Sequence, residues 1–327
     1  MSLIPPPTKN DMIPPPASSG RRLILITGSP RSGTTWVGDV LRRCSHTMLL
    51  MEPFNPDLSS RVARVCNFQF REWYMYVTDE NAAEFAAPVR RMLELRHETL
   101  PRLRASKSLK DVIDVSAAAA RFGLSRLTAQ TSIIKDPIAL LSSQWLASQF
   151  GARVVILIRH PAAVVSSFKR LKLCVDIPGL LRQPLLMRDL LAPMEAELSD
   201  FARIEHDIVD MAAMLWKALY FAVLRFREDH PDWLFLRHED LSQDPVGGFE
   251  NICRHVGLDF PKRARKAAAE SNDLALPSEL DPQLAFTTRR NAVANLTNWK
   301  TRLTEDEISR IRRRVEDVSQ QLYPDMP

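Results

Sequence analysis

Long apolar runs are missing from this chain of 327 residues: none approaches the roughly 18 to 20 residues that a helix needs to cross a bilayer. The N-terminus lacks the basic start and apolar stretch of a secretory signal. Cysteine is scarce. Cys44, Cys66, Cys174 and Cys253 are scattered without a CxxC pair, which excludes a small scaffold stapled by disulfides and leaves reduced, mostly buried thiols as the expectation. Together these absences predict a cytoplasmic protein with no membrane span. Neither sign of charge dominates, because 44 Lys and Arg stand among 39 Asp and Glu for a net +5, and no nucleic-acid partner is expected. The basic runs Lys262-Arg263-Ala264-Arg265-Lys266 and Arg312-Arg313-Arg314 read as solvated helix faces. His46, His97 and His160 have no partners at metal-ligand spacing, so no metal site is expected.

With 45% hydrophobic residues the chain can bury a sizeable core. Residues 1–20 hold Pro5-Pro6-Pro7 and Pro14-Pro15-Pro16 with few large apolar side chains and read as a flexible, partly polyproline tail. From residue 21 to 327 the pattern is that of one domain. Leu23-Ile24-Leu25-Ile26-Thr27 is a continuous apolar run of strand length, followed by a loop and by Trp36, Val37, Val40 and Leu41 at helical spacing. The unit recurs at Ile133-Ile134 and at Val154 to Ile158, where Pro161 marks the next helix start, and Trp233 to Leu236 adds a further strand. Apolar strands alternating with helices predict a three-layer α/β/α fold with a central, mainly parallel sheet and helical insertions. The insertions fall near 53–130 and 173–200; Pro178, Pro184 and Pro193 prevent the second from being one helix. Thr304-Glu305-Asp306-Glu307 is a capping box that opens a closing helix with Ile308, Ile311, Val315 and Val318 on its apolar side.

Gly28-Ser29-Pro30-Arg31-Ser32-Gly33-Thr34-Thr35-Trp36 lies between the first strand and the first helix, where free backbone N–H groups and the positive helix end converge on an anion. Against the nucleotide-binding pattern GxxxxGK[ST], both glycines and the final threonine are kept, but Thr34 stands where the lysine belongs and the cation has moved to Arg31. The strand ending at Ile158 finishes on Arg159 instead of a magnesium-binding aspartate.

These residues resemble the 5'-phosphosulfate loop of sulfotransferases that use 3'-phosphoadenosine 5'-phosphosulfate (PAPS), a family with a P-loop-NTPase-like fold. The resemblance implies that Arg31, Ser32, Gly33, Thr34 and Thr35 hold the 5'-phosphosulfate and that Trp36 lies near the adenine; read without it, Trp36 is a core residue. Arg159-His160-Pro161-Ala162-Ala163-Val164-Val165-Ser166-Ser167 is similar to the family's 3'-phosphate motif, an arginine closing a strand with a serine eight positions on. An arginine beyond the carboxyl end of a parallel strand can fork onto a phosphate, which agrees. Asn298-Trp299-Lys300 resembles a looser, late segment of the family, and this implicates Arg289 and Arg290 in holding the 3'-phosphate. His238-Glu239-Asp240-Leu241 also fits the family and reads as structural.

The implied reaction is transfer of a sulfuryl group to an acceptor hydroxyl by in-line displacement, with 3',5'-bisphosphoadenosine (PAP) as the product. It needs a general base. The Lys-Thr-His segment that supplies a histidine in the family's soluble small-molecule branch is here Lys135-Asp136-Pro137, so the base is expected elsewhere. Glu52 is preferred: it follows Met48-Leu49-Leu50-Met51, a short strand candidate whose end would meet the phosphate loop at one sheet edge. Asp136 is the alternative, and Lys135 can neutralise the transferring sulfuryl. The expected acceptor is a small molecule or carbohydrate, with a carbohydrate or natural-product alcohol favoured, and the reading leaves room for a homodimer. A P-loop kinase or nucleotide hydrolase and a non-catalytic nucleotide-binding module compete with it.

Overall fold

The computed structural model describes residues 20–56, 68, 70–97, 99–106, 108–270 and 296–324. Five strands, β1 (Arg22–Gly28), β2 (Thr47–Met51), β3 (Thr131–Lys135), β4 (Ala152–Ile158) and β5 (Leu234–Arg237), form one sheet in the order β2-β3-β1-β4-β5, with every neighbouring pair parallel. The continuous apolar runs follow from this geometry. Successive side chains point to opposite faces, and helices cover both, so the central strands are mainly apolar, and the polar residues they carry, Thr27, Ser132 and Lys135 among them, are buried too. Leu23 and Leu25 of β1, with Val154, Ile156 and Ile158 of β4, enter the larger core. Ile24 and Ile26, with Val155 and Leu157, enter the smaller one.

Helix α1 (Thr34–Leu41) buries Trp36, Val37, Val40 and Leu41 in the smaller core, together with Phe249, Ile252 and Val256 of the helix Pro245–Val256. The other face carries α5 (Ser143–Phe150), α6 (Pro161–Leu171), the helix Ile208–Asp229 and the closing helix Glu305–Leu322. The capping box opening that last helix is present: Thr304 Oγ1 accepts from Glu307 N and the Glu307 carboxylate accepts from Thr304 N. Between β2 and β3 lie α2 (Ala86–Leu93), α3 (Thr99–Ala105) and α4 (Leu109–Thr128). The Pro-rich stretch 173–200 breaks into short helical turns, one of them the π-turn Met187–Leu191. Arg182 pairs with Glu72 at 2.7 Å and Arg188 with Glu80 at 2.5 Å, while Gln183 accepts from Tyr76 N, so the two insertions grip one another. Among the described residues no helix is long and apolar enough to cross a membrane. Residues 1–19, most of the Pro-rich tail expected from the sequence, lie outside the described residues.

Candidate active site

In an all-parallel sheet the strand carboxyl ends share one edge, and β1 sits where the strand order reverses, so the loop after it opens into the crevice that such sheets use for ligands. Met51 and Ile26 both pair with Lys135, Gly28 pairs with Leu157, and Ile158 pairs with Arg237. Glu52, Lys135, the Gly28–Thr34 loop, Arg159 and His238 therefore all leave the sheet along one line.

The loop is tightly built. Gly28 has φ +143°, and a Cβ there would stand 2.2 Å from the Leu157 carbonyl oxygen, so only glycine fits. Gly28→Ala is expected to destabilise the fold by at least about 1–3 kcal/mol, read as a lower urea midpoint at unchanged m-value. Gly33, the N-cap of α1 at φ +105°, would bring a Cβ to 2.6 Å from His238 Nδ1. Arg31 itself is left-handed, at φ +69°, an uncommon place for a long side chain and a mark of strain held by its surroundings. Those surroundings are specific. Arg159 Nη1 donates to the Arg31 carbonyl at 2.8 Å, and Arg31 Nε donates to Ser167 Oγ at 3.1 Å. Tyr220 Oη donates to the Leu157 carbonyl at 2.9 Å and sits 3.1 Å from Ser29 Oγ; Trp216 Nε1 donates to the Arg159 carbonyl.

The electrostatics are those of an anion site. Burial, then the charges of Arg159 and Arg170, pull the Arg31 guanidinium down to about 10, with Glu52 acting in the opposite sense. Arg159 is 6% exposed and is lowered chiefly by burial, with Glu239 as its main compensating charge. Its Nε and the Ser32 hydroxyl are buried with no hydrogen-bond partner among the described residues. Buried polar groups of this kind are stabilised when an anion accepts from them.

On the other side of the loop, Glu52 Oε1 accepts from Lys135 Nζ at 2.5 Å and Glu52 Oε2 accepts from Asn55 Nδ2 at 3.1 Å. Lys135 is 1% exposed, whereas the Glu52 side chain is 23% exposed and faces outward at the strand edge. Glu52 has φ +46°, so the chain turns sharply as β2 ends. Asp136 is fully buried, and its two oxygens accept from Phe54 N at 2.6 Å and Ile138 N at 2.9 Å. Burial, followed by the Glu52 charge, pushes the Asp136 carboxyl up to about 7. Its geometry is that of a clip holding the Glu52–Phe54 turn.

The late segment of the sequence reaches the second arginine. The Trp299 ring stacks on His160 at 5.1 Å, next to Arg159, and Lys300 lies over the indole. Burial, then Arg159 and Lys300, depress His160 to about 4, which keeps it neutral near pH 7. Tyr323 Oη donates to Glu239 Oε2 at 2.9 Å while Glu239 Oε1 accepts from His160 N, tying the chain's end to the turn after β4. Arg289 and Arg290 lie outside the described residues. Trp36 is 8% exposed and packs edge-on against Phe249 and His238. Tyr220, Trp216, Arg170 and Tyr323 were missed from sequence; of the segment read as structural, His238 stands against the phosphate-loop glycine and Glu239 joins His160 N to Tyr323. Among the described residues no group of three or more His, Cys, Asp and Glu is placed to hold a metal ion. Cys44 and Cys253 are buried free thiols and Cys174 is exposed; Cys66 lies outside the described residues.

Residues 24–176 match the model of a family described as the sulfotransferase family. No curated protein matches the chain. Among solved structures, the sulfotransferase domain from the curacin biosynthetic pathway is 15% identical over 94% of this chain and 99% of its own, at a TM-score of 0.52, a likeness of fold. The sulfotransferase domain of the Synechococcus PCC 7002 olefin synthase (18% identity, 94% and 96% covered, TM-score 0.45) and mouse sulfotransferase SULT7A1 complexed with PAP (15%, 95% and 87%, TM-score 0.43) are weaker matches. The matched segment, a little under half of the chain, is similar to the sulfotransferase family and contains the phosphate loop, Glu52, Lys135, Arg159 and Ser167.

Proposed function

We propose that the chain transfers the sulfuryl group of PAPS to an acceptor hydroxyl. The observation that carries this reading is the convergence of the buried Arg159, the partly buried Arg31 and Ser167 on one loop, with the Glu52–Lys135 pair at the same sheet edge. The loop amides and Arg31 would hold the 5'-phosphosulfate, and Arg159 with Ser167 the 3'-phosphate, giving a donor with phosphates at both ends of its ribose. The acceptor oxygen attacks sulfur while the bridging oxygen leaves on PAP. Glu52 takes the acceptor proton, and Lys135 neutralises charge on the transferring group. Asp136, with both oxygens on backbone N–H groups, positions Glu52 instead of serving as the base. The insertions 53–130 and 173–200 would shape the acceptor side of a single domain, beside the half-exposed Met51, and a carbohydrate or natural-product alcohol remains the favoured acceptor.

The test is calorimetric titration with PAP and, separately, with ATP and magnesium. PAP is expected to bind without metal and ATP to bind much more weakly. Arg159→Ala should weaken PAP roughly 100-fold, the scale of truncating one side of a buried charge-assisted contact, while binding of a nucleotide lacking the 3'-phosphate changes only a few-fold. Tighter binding of ATP with magnesium, or indifference to the 3'-phosphate, would replace this reading with the kinase one.

A further inference from the structure

Helix α4 packs Val115, Ala118 and Phe122 inward at the i, i+3, i+7 spacing of one buried stripe. Its opposite face is apolar as well. Of the eight large apolar side chains exposed among the described residues, five belong to α4, and a sixth, Leu100, lies on α3, which packs against it. Leu109 is 77% exposed, Ile113 58%, Leu124 64% and Leu127 86%, in a helix otherwise able to choose polar residues there. Side chains of this size at these exposures make a patch of several hundred Å², above what a monomer ordinarily leaves open and on the scale of the about 800 Å² per partner of a stable interface.

The order of residues on that face identifies its occupant. Leu109, Ile113, Ser116, Ala120, Gly123 and Leu127 are spaced alternately by four and three, a coiled-coil seam. The seam is also symmetric about residue 118. Run antiparallel against a second copy, Leu109 meets Leu127, Ile113 meets Gly123 and Ser116 meets Ala120, while Val112 and Leu124 border the seam on opposite sides. Ile113 is thus opposed by a glycine that leaves it room, the leucine pairs close the two ends of the seam, and the small central pair lets the helix axes approach to about 8 Å. No seam position is charged. Lys110 and Arg126 lie on opposite sides of the seam, so each lays its aliphatic stem along Leu124 or Val112 of the other copy without facing a like charge. A face that is its own complement under a two-fold rotation is an isologous interface. We propose that α4 is the interface of a homodimer, formed by antiparallel pairing of the two copies of this helix.

Sedimentation equilibrium of the full chain at micromolar concentration should show a dimer. Ile113→Lys and Leu127→Glu each place a charge in the seam, and by symmetry each acts twice per interface, so the dissociation constant should rise at least about 100-fold. Both side chains are exposed in the single chain, and unchanged circular dichroism is expected. A second readout is independent of stability. In a background with Cys66 and Cys174 replaced by serine, Ala117→Cys puts two thiols across the two-fold axis and should cross-link to a covalent dimer on mild oxidation. Leu127→Cys, whose counterpart is residue 109, should not. A monomeric wild type, a dimer that survives both charged variants, or Ala117→Cys cross-linking no faster than Leu127→Cys overturns the proposal.

Discussion

Replacing Glu52 with glutamine should lower turnover by roughly 10²- to 10⁴-fold, the range of a lost general base, with PAP affinity changed only a few-fold. Glutamine keeps the shape and leaves an amide oxygen to accept from Lys135, so the turn after β2 persists. The buried ammonium does lose its counter-charge, and some loss of stability is expected because Lys135 is 1% exposed. Two measurements separate chemistry from folding. The first is the acceptor series: if Glu52 removes the proton, acidic hydroxyls suffer least from its loss, and the gap between wild type and variant widens as acceptor pKa rises. The second is the double variant Glu52→Gln with Lys135→Met, which removes the unpaired charge; its melting temperature should recover while its turnover does not. A folded Glu52→Gln protein that keeps turnover within tenfold of wild type for alkyl alcohols would remove Glu52 from the base position.

That prediction rests on a placement only partly legible in the sequence. Met48 to Met51 could be read as a strand because its apolar run is continuous, and the shared sheet edge followed from parallel pairing. The turn itself could not. Glutamate has no preference for the left-handed region, and the clip that holds the turn comes from Asp136, which accepts from Phe54 N across 82 residues. The strands β1 and β4 were readable because burial on both faces favours a continuous apolar run, and the edge strand β2, though only alternately buried, carries such a run too. The phosphate loop was readable because its glycines answer to local geometry: Gly28 to the Leu157 carbonyl and Gly33 to the N-cap of α1.

What stayed hidden has one physical origin. Tyr220 and Trp216 sit in the mainly apolar middle of their helix, where they look like core, and only tertiary structure shows that their polar atoms reach Leu157, Ser29 and Arg159. Glu239 read as structural, and its partners, the turn after β4 and the chain's last helix, lie 79 and 84 residues away. A sequence pattern records neighbours along the chain, whereas second contacts of a site are set by packing between elements.

Arg31→Ala should lower turnover by about 10²- to 10³-fold, the effect of removing one preorganised donor from a developing negative charge, worth about 2.7–4 kcal/mol in the barrier. Its effect on stability should have the opposite sign from that of an ordinary buried deletion. Burial, then Arg159 and Arg170, disfavours the charged guanidinium in the folded protein, so removing it relieves repulsion at the cost of its contacts, the bond to Ser167 among them. Alanine at φ +69° carries the same backbone strain that arginine does, so the comparison isolates the side chain. The variant is therefore expected to melt no lower than wild type without ligand and to gain less stability from PAP, because stabilisation by a ligand follows its affinity. Calorimetric melts with and without PAP, set beside turnover, test both halves. If Arg31→Ala melts well below wild type and loses activity only in proportion to the folded fraction, the arginine is a structural clamp on the loop and the transition-state charge is held by the amides alone.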